Sequence, residues 1–208
     1  MFRHRACFVL LLLAAGGCGY LSSSTERDEP KPEKTYGGLT GQVCAVMVWA
    51  DWRTRVDYTR IQGDLAALLQ QRLEGQKKDA KSSPSTTFLN PLSVVRYQRE
   101  HPEIEALPIA EVAPKLSVTR LIYVELGSFS VQSPDSIMIL KGSAEATLRV
   151  LEISGQKASV AFEESGIKAS YPPDAPEGVV PSDKYNLNSV YKGTIEELAD
   201  RLAARFSR

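Results

Sequence analysis

The sequence predicts an α/β domain of the α+β kind: a single mixed sheet of about five strands, with a three-strand antiparallel meander and helices packed against it. Three observations predict it. Residues 43–49 (VCAVMVW) form an almost continuous apolar run, suited to a strand covered on both faces. Residues 121–131, 143–153 and 158–169 are long β patterns separated by the turn signals Ser133-Pro134-Asp135-Ser136 and Ser154-Gly155. Apolar stripes at helical spacing stand before and after those strands.

Taken in order, the run at 43–49 is a central strand. After it, Ile61, Leu65, Leu68, Leu69 and Leu73 mark one face of a helix over residues 58–73, closed by Glu74-Gly75. A polar loop at 76–85 precedes a short strand at 86–89. Asn90-Pro91 then supplies an N-cap and a first-turn proline for a helix ending near Glu100, where His101-Pro102 breaks it. Residues 108–116 read as another short helix before the second buried strand begins at Leu121. In the strand at 143–153, Ala144, Ala146, Leu148 and Val150 share one face while Glu145, Thr147 and Arg149 share the other, so it is half buried. The loop 171–183 holds four prolines and is neither helix nor central strand. Tyr191, Ile195, Leu198, Leu202 and Phe206 form the packing stripe of a last helix.

The amino-terminal region is organised differently. Arg3 and Arg5 precede an unbroken apolar run at 6–15, the plan of a secretory signal, and the run is about half the length a membrane-spanning helix needs. Ala14-Ala15-Gly16-Gly17-Cys18 resembles the lipobox of bacterial lipoproteins, with Ala15 where leucine is usual and Leu13 two residues upstream. The resemblance implies removal of residues 1–17 and diacylation of Cys18, which two acyl chains make a stable anchor. Gly19 follows the cysteine rather than Asp, which in such lipoproteins implies the outer membrane. Residues 18–40 are Ser-rich, then charged and Pro-rich, then Gly-Gly, and read as a tether with a root-mean-square reach of about 25 Å. Residues 41–208 are then one globular domain.

Composition excludes several functions. Basic and acidic residues both number 25, and loss of Arg3 and Arg5 leaves 23 against 25, so no nucleic-acid partner is expected. Beyond the leader His101 is the one histidine, in a Glu-His-Pro-Glu context, which leaves histidine-assisted hydrolysis and histidine-rich metal sites without their parts. No cofactor or metal is expected. With Cys7 lost and Cys18 acylated, Cys44 stands in an apolar run and reads as a buried core residue. The adjacent acids Glu163-Glu164 and Glu196-Glu197 point apart on a strand or helix and read as solvated charges. The best candidate binding residues are Asp51, Trp52, Arg53 and Arg55, at the carboxyl end of the first buried strand where α/β sheets place ligands. Tyr171, opening the proline loop, is a second candidate. The plain alternatives are a polar loop with Trp49 or Trp52 packed on the sheet edge and an ordinary surface loop.

The segment 43–49 with its following helix, together with residues 113–124 (APKLSVTRLIYV), resembles a group of exported lipoprotein domains. The group comprises the penicillin-binding-protein activator lipoproteins, the curli-secretion lipoprotein and the amino-terminal domain of TolB. In these the second segment is a helix ending at Leu-Gly before a strand, and here Ser117 replaces the glycine. The resemblance implies a fold more than a role. The expected function is a non-enzymatic binding or accessory module of the cell envelope, anchored in the membrane and facing the periplasm, with an envelope protein or cell-wall component as partner. The alternatives are a subunit of a secretion or outer-membrane assembly complex, and a carboxylate-dependent cell-wall hydrolase, for which the sequence offers no two facing acids.

Overall fold

The computed structural model describes residues 35–76 and 85–206. The leader at 1–17, Cys18 and most of the tether lie outside the described residues.

One five-stranded sheet organises the chain, in the order β2-β1-β3-β4-β5. The strands are β1 Val43–Ala50, β2 Thr87–Phe88, β3 Arg120–Ser133, β4 Ser136–Ser154 and β5 Lys157–Tyr171. β1 runs parallel to both β2 and β3, and β3, β4 and β5 form the antiparallel meander. The helices are α1 Trp52–Asp57, α2 Ile61–Gly75, α3 Pro91–Glu100, α4 Ile109–Val112 and α5 Leu187–Ala203, with 3-10 turns at Pro102–Ala106 and Ala113–Leu116. The mixed sheet with packed helices is the architecture the sequence predicts.

The apolar run of β1 is explained by its cover. Cys44, Val46, Val48 and Ala50 face a core closed by Ile61, Leu65 and Leu69 of α2 and by Leu198 and Leu202 of α5. Ala45 and Met47 face the other way, into a second core with Val94, Ile104, Val112 and Leu116. A strand buried on both sides has no use for alternation. β4 behaves as its pattern predicts: Ala144, Ala146, Leu148 and Val150 join the first core.

Three boundaries differ from the sequence reading. The helix expected at 58–73 is two helices, because Asp51 starts a separate six-residue turn that ends at Tyr58 (φ −130°, ψ 71°). A helix that short, with Trp52 and Val56 exposed, carries no periodic stripe to read. β4 begins at Ser136, seven residues early, since Ser133 pairs with Ser136 across a tight turn. The folded unit also reaches back into the segment read as tether. Tyr36 is 8% exposed and pairs with Phe206, and Leu39 is buried as well. Tyr36 lies edge-on to Phe206 and tilted against Phe162, while its hydroxyl donates to Glu152 Oε1 (2.9 Å) and accepts from Arg120 Nε (2.9 Å). Two isolated apolar residues in a polar segment are invisible to composition, yet they find a prepared pocket.

The short β2 leaves the upper edge of β1 without a strand partner. Its Val48 carbonyl instead accepts from Gln62 Nε2 of α2 (2.8 Å) and Gln98 Nε2 of α3 (3.0 Å). Side-chain amides thus close an edge that would otherwise be open to pairing.

Candidate functional site

On the sheet face away from α2 and α5, a cleft of about 240 Å³ opens between the strands and the segment from α3 to α4. Its floor follows from register. Met47 pairs with Tyr123 and Trp49 with Glu125 across β1 and β3, and Arg149 on β4 pairs with Tyr123. Its roof is Gln98 from α3, Ile104 and Glu105 from the first 3-10 turn, then Leu107, Ile109 and Val112. At about 30 Å³ per water the space would hold roughly eight waters.

The charged groups in this cleft are engaged with one another. Arg149 donates to Glu125 Oε2 (2.8 Å) and to Glu163 Oε1 (2.7 Å), and the bond to Glu163 is the first cause that raises its pKa above the ordinary guanidinium value. Glu105 is held bidentately by Arg55, with Nη1 on Oε1 and Nη2 on Oε2 (3.1 Å). Several polar groups in and beside the cleft are not engaged, among them the buried Arg55 Nε, which has no hydrogen-bond partner among the described residues. The Gln98 Oε1 is buried with no hydrogen-bond partner among the described residues. The Tyr123 hydroxyl likewise makes no hydrogen bond within the described residues. Burial first, and then the charge of Glu125, pushes Tyr123 up to about 12, so it stays a neutral phenol at physiological pH. The cleft therefore offers apolar and aromatic walls, a paired set of charges, and unengaged polar groups that include the Gln98 Oε1 acceptor and the Tyr123 hydroxyl. Its lining contains no serine, cysteine or histidine; its ionisable groups are Glu105, Glu125, Arg149 and Tyr123.

The residues singled out in the sequence separate in the structure. Asp51 caps α1: its Oδ1 accepts from the backbone N–H groups of Arg53 (2.8 Å) and Thr54 (3.1 Å), and its Oδ2 from the Thr54 hydroxyl (2.7 Å). The Thr54 hydroxyl bond, followed by that residue's backbone bond, holds the Asp51 carboxyl below the usual range. Trp52 is 64% exposed, with the Arg53 guanidinium over its ring at 5.8 Å. Arg55 alone of this group reaches the cleft, through Glu105. Tyr171 makes no hydrogen bond or ring contact with any of them, and it packs so closely on α5 that a Cβ at Gly193 would lie 2.5 Å from its ring.

Sequence reasoning missed Trp49, Gln98, Glu105, Tyr123, Glu125 and Arg149. One signal was present, since Glu125 is a single carboxylate inside the apolar run 121–126. Its partner could not be read, because the β3–β4 register is set by bulges near Leu126 and Ser130. Among the described residues no group of three or more His, Cys, Asp and Glu side chains is placed to hold a metal ion, and no helix is long and apolar enough to cross a membrane.

No family model matches this sequence, and no curated protein matches it. Among solved structures it is similar to a hypothetical protein of Chlamydia trachomatis, with a TM-score of 0.44, 16% identity, and 78% of this chain and 91% of that chain covered. It is similar to the PelC dodecamer of Paraburkholderia phytofirmans, with a TM-score of 0.42, 10% identity, and 86% and 96% covered. It is also similar to the lipoprotein GNA1162 of Neisseria meningitidis, with a TM-score of 0.39, 8% identity, and 76% and 97% covered. At these values the likeness is one of general architecture.

Proposed function

We propose that this chain is a lipid-anchored module of the bacterial envelope, held through Cys18 and facing the periplasm at the outer membrane, that binds its ligand in the cleft between β1, β3 and α4 without catalysing a reaction. The cleft carries the reading: its apolar and aromatic walls enclose a buried acceptor with no partner among the described residues, Gln98 Oε1, with the Tyr123 hydroxyl in the same lining. A buried unpaired acceptor costs about 1–3 kcal/mol, a cost that a bound donor removes. The ligand this chemistry suits is a small, largely apolar group bearing a hydrogen-bond donor, such as a side chain of an envelope protein or a substituent of the cell wall.

Two measurements test it. Cys18→Ala should move the protein from the membrane fraction to the soluble periplasm, and continued membrane fractionation would sink the anchor. Crosslinking from a photoreactive residue at position 49 in intact cells should yield a defined adduct, lost in Tyr123→Ala. An adduct pattern that Tyr123→Ala leaves unchanged would remove the cleft from the reading.

A second reading, a subunit of a secretion or assembly complex, is favoured by one observation. Ile137 and Met138, adjacent on β4 beside the hairpin turn, are 81% and 69% exposed and so project from both faces of the ribbon. That tip lies about 40 Å along β3 from the Tyr36 end, at ~3.3 Å per residue. Light scattering of the full-length protein in detergent distinguishes the readings. An oligomer that Ile137→Ser with Met138→Ser dissociates supports the assembly subunit, and a monomer at all concentrations counts against it.

A further inference from the structure

A second cavity, of about 310 Å³, lies between the start of α2 and the outer face of α3. Its basic lining consists of Arg60, Arg96 and Arg99, and its one acid is Asp64. Asp64 is already committed twice, to Arg60 Nη2 (3.3 Å) and to the Tyr191 hydroxyl (3.0 Å). Arg96 and Arg99 are exposed and make no ion pair among the described residues. The groove thus carries two net positive charges on a chain whose formal charge is zero.

The placement of these charges is unfavourable in the empty protein. Arg96 and Arg99 stand three apart on α3 and so share a face, where like charges repel. All three cations are arginine and none is lysine, the choice that suits planar, bidentate hydrogen bonding to phosphate. Beside them Leu92 is 65% exposed, an apolar surface in the same groove.

We propose that this groove binds the phosphate of an amphiphile, with Arg96, Arg99 and Arg60 on the phosphate oxygens and Leu92 against the apolar part of the ligand. The site is separate from the β1–β3 cleft and does not depend on what that cleft holds. It would give the domain a contact with phosphate-bearing lipid additional to its own anchor.

Calorimetric titration of the full-length protein with phenyl phosphate, inorganic phosphate and chloride, at matched ionic strength, tests the assignment. Phenyl phosphate should bind saturably and more tightly than inorganic phosphate, and chloride should give no saturable heat. Arg96→Gln with Arg99→Gln should weaken phenyl phosphate by at least about tenfold, given 1.5–3 kcal/mol for hydrogen bonds to charged groups. Neither arginine makes an ion pair among the described residues and the two repel each other, so thermal unfolding of that variant should be no lower than the parent's. Leu92→Ser should abolish the preference for phenyl phosphate while leaving inorganic phosphate unaffected. Equal affinity of the parent for the two phosphates would overturn the assignment to an amphiphile in favour of a free-phosphate site. Absence of saturable binding, or binding indifferent to the two arginines, would overturn the site itself.

Discussion

Ser117 has φ 56° and ψ 38°, the left-handed conformation, and ends the 3-10 turn before β3. Glycine adopts this conformation freely, whereas a Cβ here meets the following carbonyl at a cost of about 1–2 kcal/mol. Ser117→Gly removes that strain and adds unfolded-state entropy worth about half of it. A gain of about 0.5–1 kcal/mol is expected, read as a higher urea midpoint at unchanged slope. The tyrosines give a second residue-scale expectation. Burial first, then the hydrogen bond to Glu152, pushes Tyr36 up to about 12, and Tyr123 is raised to about 12 by burial. The unfolded chain gives up these protons near pH 10 while the folded chain keeps them, so stability present below pH 10 falls as pH rises to about 12. A tyrosinate absorbance titration should show late-titrating residues that return to the ordinary value in urea. Tyr36→Phe with Tyr123→Phe should shrink the late component without abolishing it, because burial also raises Tyr58 and Tyr191.

At the scale of elements, the edge of β1 and the start of α1 both rest on side chains that substitute for missing backbone partners. Gln62→Leu should cost about 0.5–1.5 kcal/mol, because the Val48 carbonyl keeps one donor, and Gln98→Leu should cost less, because it also removes the buried unpaired Oε1. The double variant leaves it with none from these side chains and should cost more than the sum, measurable as a coupling in a double-mutant cycle. Asp51→Ala removes the cap of α1 and should cost about 1 kcal/mol, with Asp51→Asn retaining most of it. If Asp51 instead contacts ligand, Asp51→Asn would abolish binding without lowering stability. The Asn90-Pro91 start of α3 was legible because its N-cap bond to the Leu92 N–H is local. α1 was not legible, since six residues cannot display a helical period and Asp51 looks the same in a loop as in a cap.

At the scale of the molecule, the first and last described segments are joined: Tyr36 N–H donates to Arg205 O (2.8 Å), and Phe162 and Phe206 enclose its ring. Tyr36→Ala should destabilise the domain by about 3 kcal/mol, the range for losing a buried aromatic, with global unfolding still a single transition. The sequence by itself determined the covered nature of β1, the half-buried face of β4 and the apolar stripes of α2 and α5, because each depends on spacing within one segment. Tertiary structure decided the cleft and the arginine groove. Both bring together residues from segments far apart in the chain, Trp49 with Tyr123 and Arg149, Arg60 with Arg96 and Arg99, and their meeting is set by strand register and helix packing that no local pattern encodes.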